Sequence, residues 1–122
     1  MDEEFELFED REAYKYAKQL SELIKNSDEY LYYRKCLEEL KKEPDLYAQV
    51  NELRRLNYEF QNCNRQRMSY DQYAELHSRM TNLRKTPIVS KFFNSEIAIG
   101  RLVRNVYKQI IDGIEFDIDF LN

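Results

Sequence analysis

The sequence predicts an all-α protein: a single helical domain over residues 1–122, built as a bundle of about five helices with long antiparallel helices, and oligomeric. Only two glycines and two prolines occur in the 122 residues, too few for the many tight turns of a β-sandwich or barrel. Apolar residues recur at spacings of three and four, the period of an amphipathic helix. Aromatic residues make up 14% of the chain, which excludes the aromatic-poor composition of disordered proteins.

The first two predicted helices are separated by Asn26 and Ser27. The first runs from about residue 10 to 25, and its apolar stripe consists of Ala13, Ala17, Leu20 and Ile24. Ser27 is a good N-cap for the second helix, because its hydroxyl can accept a hydrogen bond from a first-turn amide. This helix continues to about residue 43, with a stripe of Tyr30, Tyr33, Leu37 and Leu40.

Pro44 ends the second helix and opens the third, since proline is tolerated at the first helical position. The third helix is predicted to reach about Arg67, with a stripe of Leu46, Val50, Leu53, Leu56, Phe60 and Cys63. Ser69 and Gln72 have the S-x-x-Q spacing of a capping box, which predicts that a fourth helix starts there. Its stripe consists of Tyr73, Leu76, Met80 and Leu83.

The fifth helix is predicted to start at Thr86-Pro87 and to end at Asp112, with Gly113 as its C-cap. It carries two apolar stripes, which are more apolar surface than one neighbouring helix can cover. The first consists of Val89, Phe92, Ile99, Val103, Val106 and Ile110, and the second of Ile88, Phe93, Ile97, Leu102, Tyr107, Ile111 and Ile114. Glu96 takes the one heptad position missing from the first stripe. Gly100, inside the helix, costs about 1 kcal/mol relative to alanine, which suggests close approach of another helix. We therefore expect a subunit interface at Val89, Phe92, Phe93, Ile99, Gly100, Val103, Val106 and Ile110.

The two ends of the chain are acidic and contain exposed-looking apolar residues. Residues 1–9 form an acidic N-terminal segment, and residues 115–122 form a short tail in which apolar and acidic residues alternate. The N-terminal segment lacks the basic and apolar regions of a signal peptide, and no run of about 18 apolar residues is present. We expect a cytoplasmic protein that does not insert into membranes, with cysteines in the reduced state.

Charge is distributed unevenly along the chain. The net charge is −7 over residues 1–53, +7 over 54–108 and −4 over 109–122. Acidic and basic helices that attract each other within one bundle explain this pattern most simply. The alternative is an RNA-binding module that uses the basic middle region, with tyrosines for base stacking. Its basic surface would be formed by Arg54, Arg55, Arg65 and Arg67, with Tyr58 and Phe60 as stacking rings. Arg54 and Arg55 lie on the side of the third helix away from part of its stripe, where solvent is expected. The overall acidity argues against direct nucleic-acid binding.

The sequence offers little material for catalysis or metal binding. His77 is the only histidine, so neither a two-histidine zinc site nor an H-E-x-x-H motif can be built. Cys36 and Cys63 do not form a C-x-x-C motif, and both are expected to pack as small apolar residues. We predict no cofactor, no metal and no enzymatic activity. An iron–sulfur cluster shared with partner proteins is the open alternative.

An ordered series of segments resembles the YlbF/YmcA family of small cytosolic helical regulators in Gram-positive bacteria, over about residues 13–120. The matching segments are Ala17–Leu20, Ile24–Tyr30, Tyr33–Lys35, Leu40–Asp45, Leu53–Phe60, Asn82–Val89 and Ile110–Asp117.

The resemblance implies an oligomeric, all-helical regulator without its own catalysis. Members of the family act with sibling proteins in competence, biofilm formation and sporulation, and are linked to messenger-RNA processing by endoribonuclease Y. Some members share iron–sulfur clusters through cysteines in an extended C-terminal tail. This sequence has no cysteine after Cys63, so it lacks the tail cysteines that hold the cluster in those members.

Overall fold

The computed structural model describes residues 5–62 and 69–121, and all regular structure in this part of the chain is helical. Short 3-10 turns lie at Phe8–Asp10 and Asp119–Leu121. The five helices are α1 (Glu12–Lys25), α2 (Asp28–Lys41), α3 (Pro44–Asn62), α4 (Tyr70–Leu83) and α5 (Pro87–Asp112). The all-α class and the number of helices are therefore as the sequence predicts. The end of the third helix predicted near Arg67 lies outside the described residues, as does Cys63.

Several predicted helix ends are confirmed by their hydrogen bonds. The Ser27 hydroxyl accepts from the Tyr30 amide at 3.1 Å. Ser69 and Gln72 form both bonds of a capping box, at 3.1 and 2.9 Å. Pro87 lies in the first turn of α5, and the Gly113 amide at its other end donates to the Gln109 carbonyl at 3.1 Å. Gly113 has a φ of −77°, so it ends the helix without the left-handed conformation that glycine alone adopts freely.

The main core lies where α2 and α3 meet the first part of α5. Leu40, Val50 and Phe92 are completely buried there, and the Tyr33 ring lies 5.8 Å from the Phe92 ring. The other buried members of this cluster are Cys36, Leu37, Val89 and Phe93. Burying one such large apolar side chain contributes about 1.5–3 kcal/mol to folding. This cluster therefore fixes the position of α5 relative to α2.

A second contact joins α3 to α4. Leu53 and Leu76 are buried, and the rings of Phe60 and Tyr73 lie 5.2 Å apart. Arg79 forms an ion pair with Glu52 at 3.4 Å. Phe60 is thus engaged within the chain rather than free to stack on a base.

Helix α1 lies at the edge of the bundle and has no buried residue. Ala13 and Ala17 of its predicted stripe are exposed, and Leu20 and Ile24 are half-buried. The segment before α1 packs locally. The Phe8 ring meets the Tyr14 ring edge-on at 5.4 Å, and the Arg11 guanidinium lies 5.9 Å from the centre of the Phe5 ring.

Candidate interaction surface

Helix α5 changes its environment along its length. Its first ten residues include Val89, Phe92, Phe93 and Ser95, all buried, and no residue from Ile97 to Asp112 is buried. Tyr33 of α2 contacts Phe92, and α2 starts at Asp28, little more than one turn earlier. Helix α2 is therefore too short to cover the second part of α5.

The second part of α5 presents a row of apolar side chains that we call the distal face: Ile99, Leu102, Val103, Val106 and Ile110. Val103 is 46% exposed and Ile110 is 49% exposed, and the other three are half-buried. Their spacing of three and four places them along one side of the helix. Within the described residues no other helix buries this row, and an exposed apolar row of this length is typical of an interaction site.

Three of the eight residues predicted for the subunit interface have a different place. Val89, Phe92 and Phe93 are buried within the chain itself, because α2 and α3 cover the first part of α5. They are core residues and are not accessible to another subunit. Sequence periodicity alone did not distinguish them from the exposed members of the same stripes. The interface prediction remains for Ile99, Gly100, Val103, Val106 and Ile110.

Gly100 lies beside the distal face, and the chain itself does not require a glycine there. A Cβ atom built on Gly100 would meet only the Arg104 guanidinium, at 3.8 Å. This is ordinary van der Waals contact. The close helix approach predicted at Gly100 is therefore not made within the described part of the chain.

Two of the four arginines predicted to form a basic surface, Arg54 and Arg55, lie in the described part of the chain, and each is paired with a carboxylate. Arg54 donates to Glu96 at 2.8 Å and to Asn51 at 3.0 Å, and Arg55 pairs with Glu59 at 2.9 Å. Arg65 and Arg67 lie outside the described residues. The Arg54 guanidinium lies 5.1 Å from the centre of the Phe92 ring, between α3 and α5, rather than on the solvent side of α3. The ion pair between Arg54 and Glu96 explains why a glutamate interrupts the apolar stripe of α5.

A groove opens where α3, α4 and α5 meet, next to the start of the distal face. Its volume is about 320 Å³, and we call it the α3–α5 groove. The residues that line it include Arg54, Tyr58, Met80, Arg84, Phe93 and Ile97. The Arg84 guanidinium lies 5.0 Å from the centre of the Phe93 ring, so the groove combines an apolar floor with a positive rim. The sequence stripes contained Met80, Phe93 and Ile97, but no sequence signal indicated that Arg84 would join them.

His77 and Cys36, the side chains considered for catalysis or metal binding, pack against other residues of the chain. The His77 ring is stacked 6.5 Å from the Tyr73 ring, and Cys36 is a buried free thiol. A hydrogen bond with Cys36 raises the pKa of the Tyr32 hydroxyl, and a hydrogen bond to Asp112 raises the pKa of the exposed Lys108. Among the described residues, no group of three or more histidine, cysteine or acidic side chains is placed to hold a metal ion.

Ser95 is a buried residue that the stripe analysis did not identify. It is completely buried, and its hydroxyl donates to the Phe92 carbonyl at 2.6 Å. This bond satisfies the hydroxyl within its own helix, so a small polar residue fits the core without an unpaired group. A sequence pattern gives no warning of such a position, because serine usually lies on the surface.

Comparison with known proteins identifies the family. The chain matches the family described as control of competence regulator ComK, YlbF/YmcA, over residues 13–115. This range contains α2 to α5 and all but the first residue of α1. No curated protein and no solved structure matches the chain. Within the described residues, no helix has the length and apolarity needed to cross a membrane. The match over nearly all of the helical part shows that the chain belongs to the YlbF/YmcA family, whose members take part in control of the competence regulator ComK.

Proposed function

We propose that this protein is a non-enzymatic regulatory adaptor of the cytoplasm that self-associates, as a dimer or higher oligomer, and assembles with partner proteins. The observation that carries the proposal is the exposed distal face of α5. Monomeric soluble proteins rarely expose a long contiguous apolar surface. A second copy of the chain would cover this face with an identical one, as in a two-fold symmetric interface.

The family supplies the biological setting of this proposal. Control of competence is the role that the family description names. We extend it, by resemblance, to biofilm formation, to sporulation and to messenger-RNA processing with endoribonuclease Y and sibling regulatory proteins. No cofactor is needed for such a role. The buried position of Cys36 gives no support to a cluster shared between proteins.

Direct RNA binding is less well supported than protein association. Arg54 and Arg55 each pair with a carboxylate, at 2.8 and 2.9 Å. A phosphate would therefore have to displace an existing partner at each position. We expect no RNA binding that weakens steeply with salt, which is the behaviour of proteins that neutralise phosphates.

Light scattering on the purified protein tests self-association. At micromolar concentrations we expect at least twice the 14.9 kDa mass of one chain. A strict monomer over this range would overturn the self-association. Affinity capture from the native cytosol followed by mass spectrometry then identifies the partners. Fluorescence anisotropy with labelled RNA at low salt, in the same preparation, tests the alternative directly.

A further inference from the structure

We propose that the acidic tail of one copy, residues 115–121, docks into the α3–α5 groove of a second copy and closes the dimer. The inference rests on the proposed self-association through α5 and names the contact that completes it. The occupant is a second copy of this chain, with three acidic side chains, Glu115, Asp117 and Asp119, placed between apolar ones.

The tail is complementary to the groove in apolar surface and in charge. Its apolar side chains make little contact within their own chain: Phe116 is 61% exposed and Phe120 is 80% exposed. The groove offers an apolar floor at Phe93 and Ile97 and a positive rim at Arg84. The one carboxylate among its lining residues, Glu96, is already paired with Arg54 at 2.8 Å. In the described part of the chain no carboxylate lies within ion-pair distance of Arg84. One aromatic ring of the tail would pack on the apolar floor, and one carboxylate would pair with Arg84.

The volume of the groove agrees with an occupant of this size. At about 320 Å³ it is at the lower end of the range for small-molecule pockets, about 300–1,000 Å³. The space is large enough to accept one large side chain of the tail. The acidic N-terminal segment is a weaker candidate, because the rings of Phe5 and Phe8 already contact Arg11 and Tyr14.

Geometry favours a second copy over the chain's own tail. The part of α5 from Ile97 to Gly113 is about 24 Å long at 1.5 Å per residue. A fully extended chain from Gly113 to Phe120 spans about 23 Å, and the 3-10 turn at Asp119–Leu121 shortens it. The tail can therefore scarcely return along its own helix to the groove.

Pairing of two distal faces brings the tail to the right place. If the two α5 helices lie side by side in opposite directions over residues 97–112, Asp112 of one copy lies beside Ile97 of the other. Ile97 is a wall of the groove. Beyond Asp112, the tail would continue past Ile97 of its partner toward Phe93, on which the Arg84 guanidinium lies. Two identical tail contacts would then close one symmetric dimer.

Photo-cross-linking of the full chain tests the contact. The change Phe120→benzoylphenylalanine is made in chains with natural isotopes and in chains labelled with ¹⁵N, and the two are mixed in equal amounts. After irradiation and digestion we expect cross-links from position 120 to residues 57–61 or 80–84. About half of them should join a labelled to an unlabelled peptide, as random pairing of two chains requires. The same probe at the exposed Tyr16 of α1, which does not line the groove, should give no cross-link to it.

A matched pair of charge reversals tests the positive rim. Arg84→Glu should lower the yield of the mixed cross-link at least fivefold, because it places a carboxylate opposite the acidic tail. Lys85→Glu makes the same change of charge one residue away, outside the groove, and should leave the yield unchanged. Equal yields in both variants would overturn the role of Arg84 and with it the docking proposed here.

Light scattering in parallel separates the two proposals. A dimer or larger assembly without mixed cross-links to the groove would overturn the tail contact and leave the self-association standing. Cross-links found only within single chains would also overturn the tail contact. A strict monomer would overturn both, since no second copy would be present to receive the tail.

Discussion

The two parts of α5 have similar apolar patterns and different surroundings. In the first part Phe92 is completely buried against α2, whereas Val103 in the second part is 46% exposed. Both residues belong to the same stripe. The difference shows that periodicity determines which side of a helix is apolar, and that the extent of the neighbouring helix determines where that side is covered.

Truncation in the covered part should have the largest effect on folding. Phe92→Ala removes a fully buried ring that Tyr33 and Phe93 contact, and such changes cost about 3–5 kcal/mol. We expect the free energy of unfolding, measured by urea denaturation with circular dichroism, to fall by this amount. A loss below about 1 kcal/mol would show that the first part of α5 is not the core that the structure places there.

A charge introduced into the exposed part should affect association instead. Val103→Glu adds a charge to the distal face, and burying an unpaired charge in an interface is strongly unfavourable. We expect the concentration of half-dissociation to rise at least tenfold, which corresponds to about 1.4 kcal/mol. Helicity should remain unchanged.

The exposed Lys108 provides the matched control for this prediction, because its side chain lies off the distal face and pairs with Asp112. Lys108→Glu changes charge on the same part of α5 and should leave the molecular mass nearly unchanged. If Val103→Glu unfolds the chain, the distal face would instead be part of the folding core. Sedimentation and circular dichroism on the same samples separate the two outcomes.

Features that depend on neighbouring residues were predicted correctly from the sequence, whereas features that depend on a distant helix were not. Pro44, Ser69 and Pro87 act within one turn of their own position, so the helix starts that they predict are found at those places. The buried or exposed state of a stripe depends on another helix, distant in sequence. The stripe of α5 therefore did not reveal that Val89, Phe92 and Phe93 belong to the core.

The contacts of long side chains are not predictable from sequence spacing for a related reason. The position of Arg54 on α3 predicts a solvent-facing residue, yet its guanidinium extends to Glu96, 42 residues away in sequence. A flexible stem with a charged head lets arginine reach a partner beyond its own face. The α3–α5 groove depends on the same property of Arg84, and no spacing rule locates such a site.

Gly100 provides the most discriminating test, although the expected change is the smallest. In an isolated chain Gly100→Ala should stabilise α5 by about 1 kcal/mol, because glycine is a poor helix former and a Cβ would meet nothing closer than 3.8 Å. If another copy approaches closely at Gly100, the added methyl group should instead weaken the assembly.

Urea denaturation at two protein concentrations distinguishes these effects, since only association depends on concentration. Stabilisation at low concentration combined with easier dissociation at high concentration is the expected result. Stabilisation at both concentrations would remove Gly100 from the interface and leave the contact to the larger residues of the distal face.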